Sequence, residues 1–212
     1  MIYTIGGIKG GSGKTTIATN LAVWLTQKGR DVLLIDADDQ ESATDFTQLR
    51  VSEQGKTDFT TVKLLSSAVF QQIPQLQKKY QDIVVDTGGR DTDTQRYALL
   101  LAETFLVPFV PRSVDIWTLE KVENLIVQAR IQNPALKAFS FLNRADSQGK
   151  DNQEAGEVLA QSESLKFVSK AICNRKAFAN ATSQGLGAAE LKPKDAKAIA
   201  ELNNLFQAIT RK

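Results

Sequence analysis

Histidine is absent from this 212-residue sequence, and cysteine occurs once, at Cys173. Without an imidazole there is no histidine general base or metal ligand, so any hydrolytic chemistry must rest on carboxylates and a metal held by oxygen. One cysteine excludes an internal disulfide and suits a reducing cytoplasm. It also excludes a cluster held by several cysteines of one chain. No stretch reaches the roughly 18 apolar residues of a membrane span, and the N-terminus opens as a core strand instead of a signal peptide. Internal repeats and low-complexity linkers are missing too. What is present is ordinary: 42% hydrophobic and 24% charged residues, enough for a sizeable core in one α/β domain over 1–212.

Charge is nearly balanced, at +2 overall, but it is unevenly spread. Residues 164–212 hold nine basic and three acidic side chains, a net of +6. Such a quarter suits a nucleic acid, an anionic membrane or simply solvated lysines, and charge alone does not choose.

Apolar runs of strand length alternate with amphipathic stretches, which predicts a doubly wound, mostly parallel sheet with helices on both faces. Strands are expected at 2–8, 31–36, 60–64, 82–86, 104–109, 138–142 and 167–172, the one at 60–64 near an edge. Helices are expected at 15–28, from 65 through Lys79, at 115–133 before Pro134, after each of the last two strands, and at 195–209. Ligands of such sheets bind beyond the carboxyl ends of the strands, where the glycine loop and the acidic strand ends here converge.

The run Lys9-Gly10-Gly11-Ser12-Gly13-Lys14-Thr15-Thr16 follows the first strand directly. Its glycines let successive amides turn toward one point and cradle phosphate oxygens, and the helix N-terminus behind adds a favourable dipole. Lys14 supplies charge toward the outer phosphates, and the Thr15 hydroxyl is placed to ligate Mg²⁺. Ile8 stands where the plain phosphate-loop pattern has its first glycine, and the extra lysine Lys9 follows it. Asp36-Ala37-Asp38-Asp39-Gln40 closes the second strand, and Asp86-Thr87-Gly88-Gly89 closes the fourth. Either acidic segment alone reads equally as a strand-ending turn or a helix cap. After a phosphate loop, Asp86 reads as a metal-holding carboxylate and Gly88 as a close backbone approach to a terminal phosphate.

With K-G-G-x-G-K-T, D-x-D-x-Q and the strand-ending Asp86 in this order, the chain resembles the ParA/MinD family of deviant Walker A ATPases over nearly its whole length. Asp39 stands where that family usually has proline. The resemblance implies bound ATP and Mg²⁺, and a homodimer in which Lys9 reaches the partner's phosphates. Two facing triphosphates repel unless cations compensate them. It also implies that Asp38 positions the attacking water, that Asp36 lies near the metal, and that Asn143 and Pro193 flank the adenine. In ParA-type partition proteins the segment matching Ile172-x-x-Arg175 touches DNA without sequence preference. Lys170, Arg175, Lys176, Lys192, Lys194 and Lys197 are therefore the DNA-binding candidates. The implied protein is a short form lacking an N-terminal DNA-reading domain, nucleoid-associated in the cytoplasm. Its expected partner is a ParB-like or adaptor cargo protein that stimulates hydrolysis, with no membrane expected. A MinD-like membrane cycle is the alternative, which the amphipathic helix carrying Ile199, Leu202, Phe206 and Ile209 would have to support. A metabolic P-loop ligase is disfavoured by Lys9 and by the absence of a second acid/base constellation.

Overall fold

A computed structural model describes residues 1–111, 118–148 and 150–210. In chain order the elements are β1 (Ile2–Ile5), α1 (Lys14–Thr26), β2 (Val32–Ala37), α2 (Ser42–Gln54), β3 (Thr60–Lys63), α3 (Ser67–Leu76), β4 (Asp82–Thr87) and α4 (Asp93–Leu101). They continue with β5 (Thr104–Phe109), α5 (Leu119–Gln132), β6 (Lys137–Ala145), α6 (Lys150–Ala160), β7 (Lys166–Cys173), α7 (Lys176–Thr182) and α8 (Ala196–Thr210). The strands form one seven-stranded sheet in the order β3-β2-β4-β1-β5-β6-β7, with every pair parallel.

Strand alternation explains why helices cover both faces. Tyr3, Ile5, Val32, Leu34, Val84 and Leu106 pack with α1 and α8. Their neighbours Ile2, Leu33, Ile35, Ile83 and Val85 pack the other way with Val69 and Ile73 of α3 and Ala98 of α4. Phe105, Val107 and Phe109 continue that second face under α5, against Val122, Leu125 and Ile126. Helix α1 is buried along almost its whole length, and its Trp24 meets Phe206 of α8 edge-on at 5.5 Å.

The seven expected strands all form, and β3 is indeed at the edge. The first is shorter than expected, ending at Ile5 because Gly6 and Gly7 turn out of the sheet; Gly7 adopts φ +146°. The helix expected from Asp115 is described from Leu119, and residues 112–117 lie outside the described set, as do Arg211 and Lys212. Helices α2 and α4 are absent from the sequence reading. α4 starts where the Thr92 hydroxyl accepts from the Gln95 amide at 3.2 Å, a cap signal that the motif residues just upstream obscure.

Candidate functional site

Strands β2, β4 and β1 lie side by side, and their register decides which side chains meet. Asp36 is level with Asp86, Asp86 with Ile5, and Ala37 with Thr87. The second-strand acid, the fourth-strand acid and the exit to the phosphate loop thus share one level at the carboxyl end of the sheet.

The loop itself needs glycine at two points. Gly11 and Gly13 take φ +76° and +89°, which L side chains adopt at a cost, and Gly13 is the N-cap of α1. A Cβ at Gly13 would also lie 2.3 Å from Asn143 Nδ2. Gly10 and Gly11 line the cleft, with no other heavy atom within 4 Å of where their Cβ would sit, so phosphate oxygens have room against the backbone. The buried Lys14 ammonium donates to the Lys9 carbonyl at 2.9 Å, which holds it across the loop. From the end of β6, Asn143 Nδ2 donates to the Ser12 carbonyl at 2.7 Å and Arg144 Nη1 to the Gly11 carbonyl at 2.8 Å.

The carboxylates take different jobs. Asp36 Oδ2 accepts from both the amide and the hydroxyl of Thr44 at 2.8 Å, and Oδ1 from the Asp38 amide at 3.2 Å. Asp36, expected near the metal, is thereby the anchor of α2. Asp86 is fully buried, and neither oxygen has a hydrogen bond of ordinary geometry. Burial pushes its pKa from 3.8 up to about 7; the Thr15 hydroxyl and Lys14 pull it down, while Asp36 and Asp38 push it up. An orphaned buried carboxylate beside a threonine hydroxyl fits Mg²⁺, which uses one or two protein oxygens and takes the rest from phosphate and water. No cluster of three or more His, Cys, Asp or Glu exists among the described residues, and such a site needs none.

Asp38 is partly exposed and faces the Gly88–Gly89 turn: a Cβ at Gly88 would lie 3.2 Å from Asp38 Oδ1. The next residue, Gly89, packs on the backbone of the phosphate loop, since its Cβ would lie 2.8 Å from the Gly10 amide and 3.1 Å from the Lys9 carbonyl carbon. These groups surround a cleft of about 800 Å³ lined by Gly10, Gly13, Lys14, Thr15, Thr16, Asp38, Gly88, Arg90 and Arg144, among others. Asn143 and Pro193 are not among its lining residues; Asn143 is buried beneath the loop and Pro193 is exposed. A wider groove of about 1120 Å³ lies at the opposite end of β6 and β7 and holds none of the nucleotide motifs, although Lys170 borders it. Its size is no guide to the chemistry, which sits where the motifs converge.

Of the basic candidates, Lys170, Lys176, Lys192, Lys194 and Lys197 are exposed. Arg175 is held bidentately by Glu201 of α8, with contacts of 2.6 and 3.1 Å, so its charge is already matched. Sequence reasoning assigned no role to Thr44, Gln95 or Arg144. Arg144 at least adjoins a residue that it flagged, whereas Thr44 and Gln95 follow no motif.

A seven-stranded parallel sheet with a glycine loop between β1 and α1 and acids at neighbouring strand ends defines a P-loop nucleotide-binding protein. The chain belongs to the CobQ/CobB/MinD/ParA nucleotide-binding domain family, whose pattern matches residues 3–188. It is 25% identical over 206 residues to the maintenance of carboxysome distribution protein A of Halothiobacillus neapolitanus, covering 97% of this chain and 94% of that one. Among solved structures, the ATP complex of a Cyanothece McdA variant superposes with a TM-score of 0.79 at 18% identity, covering 100% of this chain and 97% of that one. The Mg-ADP complex of the septum site-determining protein MinD of Pyrococcus horikoshii gives 0.75 at 20% identity, covering 99% and 96%. These likenesses establish the fold.

Proposed function

We propose that this chain is a ParA-type positioning ATPase: ATP-bound sandwich dimers hold nonspecific DNA, and slow hydrolysis stimulated by a cargo partner releases them. The observation that carries the reading is the packing of the Gly88–Gly89 turn against both Asp38 and the Lys9–Gly10 backbone. A terminal phosphate entering there meets the Gly88–Gly89 turn and the water-positioning acid together.

Each residue then has a defined task. The loop amides and Lys14 bind and orient the phosphates. Thr15 and Asp86 hold Mg²⁺, which neutralises charge on the outer phosphates when bound. Asp38 orients water toward the terminal phosphate. Lys9 of each subunit neutralises the triphosphate of the other. Asn143 holds the loop from beneath, and Arg144 holds it from the cleft side. The relative named for carboxysome distribution favours a cargo that is positioned inside the cell.

The MinD-like membrane cycle is disfavoured by α8. Its apolar residues Leu202, Leu205, Phe206 and Ile209 are buried against the sheet and α1, so that face is unavailable to lipid. No helix among the described residues is long and apolar enough to cross a membrane.

Phosphate release and light scattering with Mg²⁺ and ATP test the reading. Lys9→Ala is expected to bind nucleotide as a monomer and to form no ATP-dependent dimer. Asp38→Ala is expected to dimerise with ATP and to release no phosphate. Dimers of Lys9→Ala equal to wild type would sink the sandwich, and normal turnover by Asp38→Ala would remove the acid from the reaction.

A further inference from the structure

Gln95 is fully buried, polar and outside every nucleotide motif. It comes from the first turn of α4, the helix that follows the Gly88–Gly89 turn. Its Oε1 accepts from the Gly7 amide at 2.8 Å and lies 2.9 Å from the Thr87 hydroxyl. Thr87 Oγ1 is also 3.0 Å from the Ile5 carbonyl, so one hydroxyl hydrogen faces two acceptors. The Gly7 amide needs an acceptor, and this fixes the orientation of the Gln95 side-chain amide. Its Nε2 is left buried without a partner. Gly6 must be glycine beside this contact, because a Cβ there would lie 2.6 Å from Gln95 Oε1 and 2.8 Å from Thr87 Oγ1.

One side chain therefore joins three things: the opening of the phosphate loop at Gly7, the end of β4 at Thr87, and α4. The idle Nε2 costs stability, while Oε1 satisfies the buried Gly7 amide, which an apolar side chain would leave unpaired. What glutamine adds over an apolar side chain is therefore its tie to the opening of the loop.

We propose that Gln95 is a positioning residue that fixes the separation between the phosphate loop and the Gly88 turn, and so sets the preference of the site for triphosphate over diphosphate. The inference deepens the proposed function and rests on it. The inner phosphates lie on the amides of one element, the loop with the start of α1. The terminal phosphate needs two elements at once, the loop and the turn. Only a contact shared between elements depends on how far apart they stand, so loosening the Gln95 bridge weakens triphosphate binding selectively.

The test is the affinity of the folded protein for fluorescent ADP and for a fluorescent non-hydrolysable ATP analogue, both with Mg²⁺. Gln95→Met is expected to lose about tenfold in triphosphate affinity, the scale of one hydrogen bond, with diphosphate affinity nearly unchanged. Thr87→Val is expected to do the same, Thr87→Ser to keep the wild-type ratio, and the double variant Gln95→Met/Thr87→Val to lose no more than either single one. Equal loss for both nucleotides, or an unchanged ratio in folded variants, would overturn the inference. If Gln95→Met fails to fold, Thr87→Val against Thr87→Ser decides alone: a ratio that falls in Val and holds in Ser supports it, and any other pattern refutes it. Wild type that binds neither nucleotide would instead refute the ATPase reading itself.

Discussion

Asp86 is a buried carboxyl whose surroundings do not match its charged form, and the consequences can be worked out at that residue. Its folded pKa of about 7 lies above the ordinary 3.8, so the neutral acid is the form that the fold favours. The stability this contributes is complete below the unfolded value and is lost as pH rises through about 7. With Mg²⁺ chelated, the melting temperature of the wild type should therefore fall across that range. Asp86→Asn should flatten the pH dependence, melt higher at alkaline pH, and lose stabilisation by Mg-ATP. A melting profile identical to wild type would show that the carboxylate is matched after all. Gly89→Ala tests the opposite wall of the cleft. The added methyl would stand 2.7 Å from Gly10 Cα, backbone that cannot swing aside, so nucleotide affinity should drop while the fold persists, measured by titration and circular dichroism.

At the scale of elements, α2 is held at both ends by charge. Asp36 anchors its start through Thr44, and Arg50 near its end pairs with Glu190 at 2.7 and 2.8 Å while also donating to the Gly185 carbonyl. Arg50 is only 4% exposed. Glu190→Ala should therefore cost about 3 kcal/mol in urea unfolding, because it leaves a buried guanidinium half-paired. A loss well below about 1 kcal/mol would mean that water replaces the carboxylate. The strands were legible because buried parallel strands write themselves as short apolar runs, and the loop because phosphate cradling needs glycine at fixed spacing. Helix α4 was not legible, since its start at Thr92 and Asp93 follows closely on residues already read as chemistry. Nor was the direction of Asn143. The β6–β7 register shifts on both sides of it and Arg144 takes φ +54°, irregularities that carry no sequence signature. Beside them Asn143 donates to the Ser12 carbonyl.

Across the whole molecule, the nucleotide cleft lies at the carboxyl end of the central strands, and exposed lysines gather in the segments around α7 and α8. Arg175 is spent on Glu201, so Lys176, Lys192, Lys194 and Lys197 carry the proposal of a DNA-facing surface. Replacing these four by alanine should weaken DNA association and reduce its salt slope, without changing ATP affinity. A quartet variant that binds DNA as wild type does would move the surface elsewhere. The central claim is that nucleotide switches this molecule between DNA-bound and free states. Its most direct test is duplex-DNA binding with ATP, with ADP and with no nucleotide, each at about 50 and about 200 mM salt. The account predicts binding with ATP alone, independent of DNA sequence and falling by orders of magnitude at the higher salt. Binding that is absent, or indifferent to the nucleotide, would contradict it.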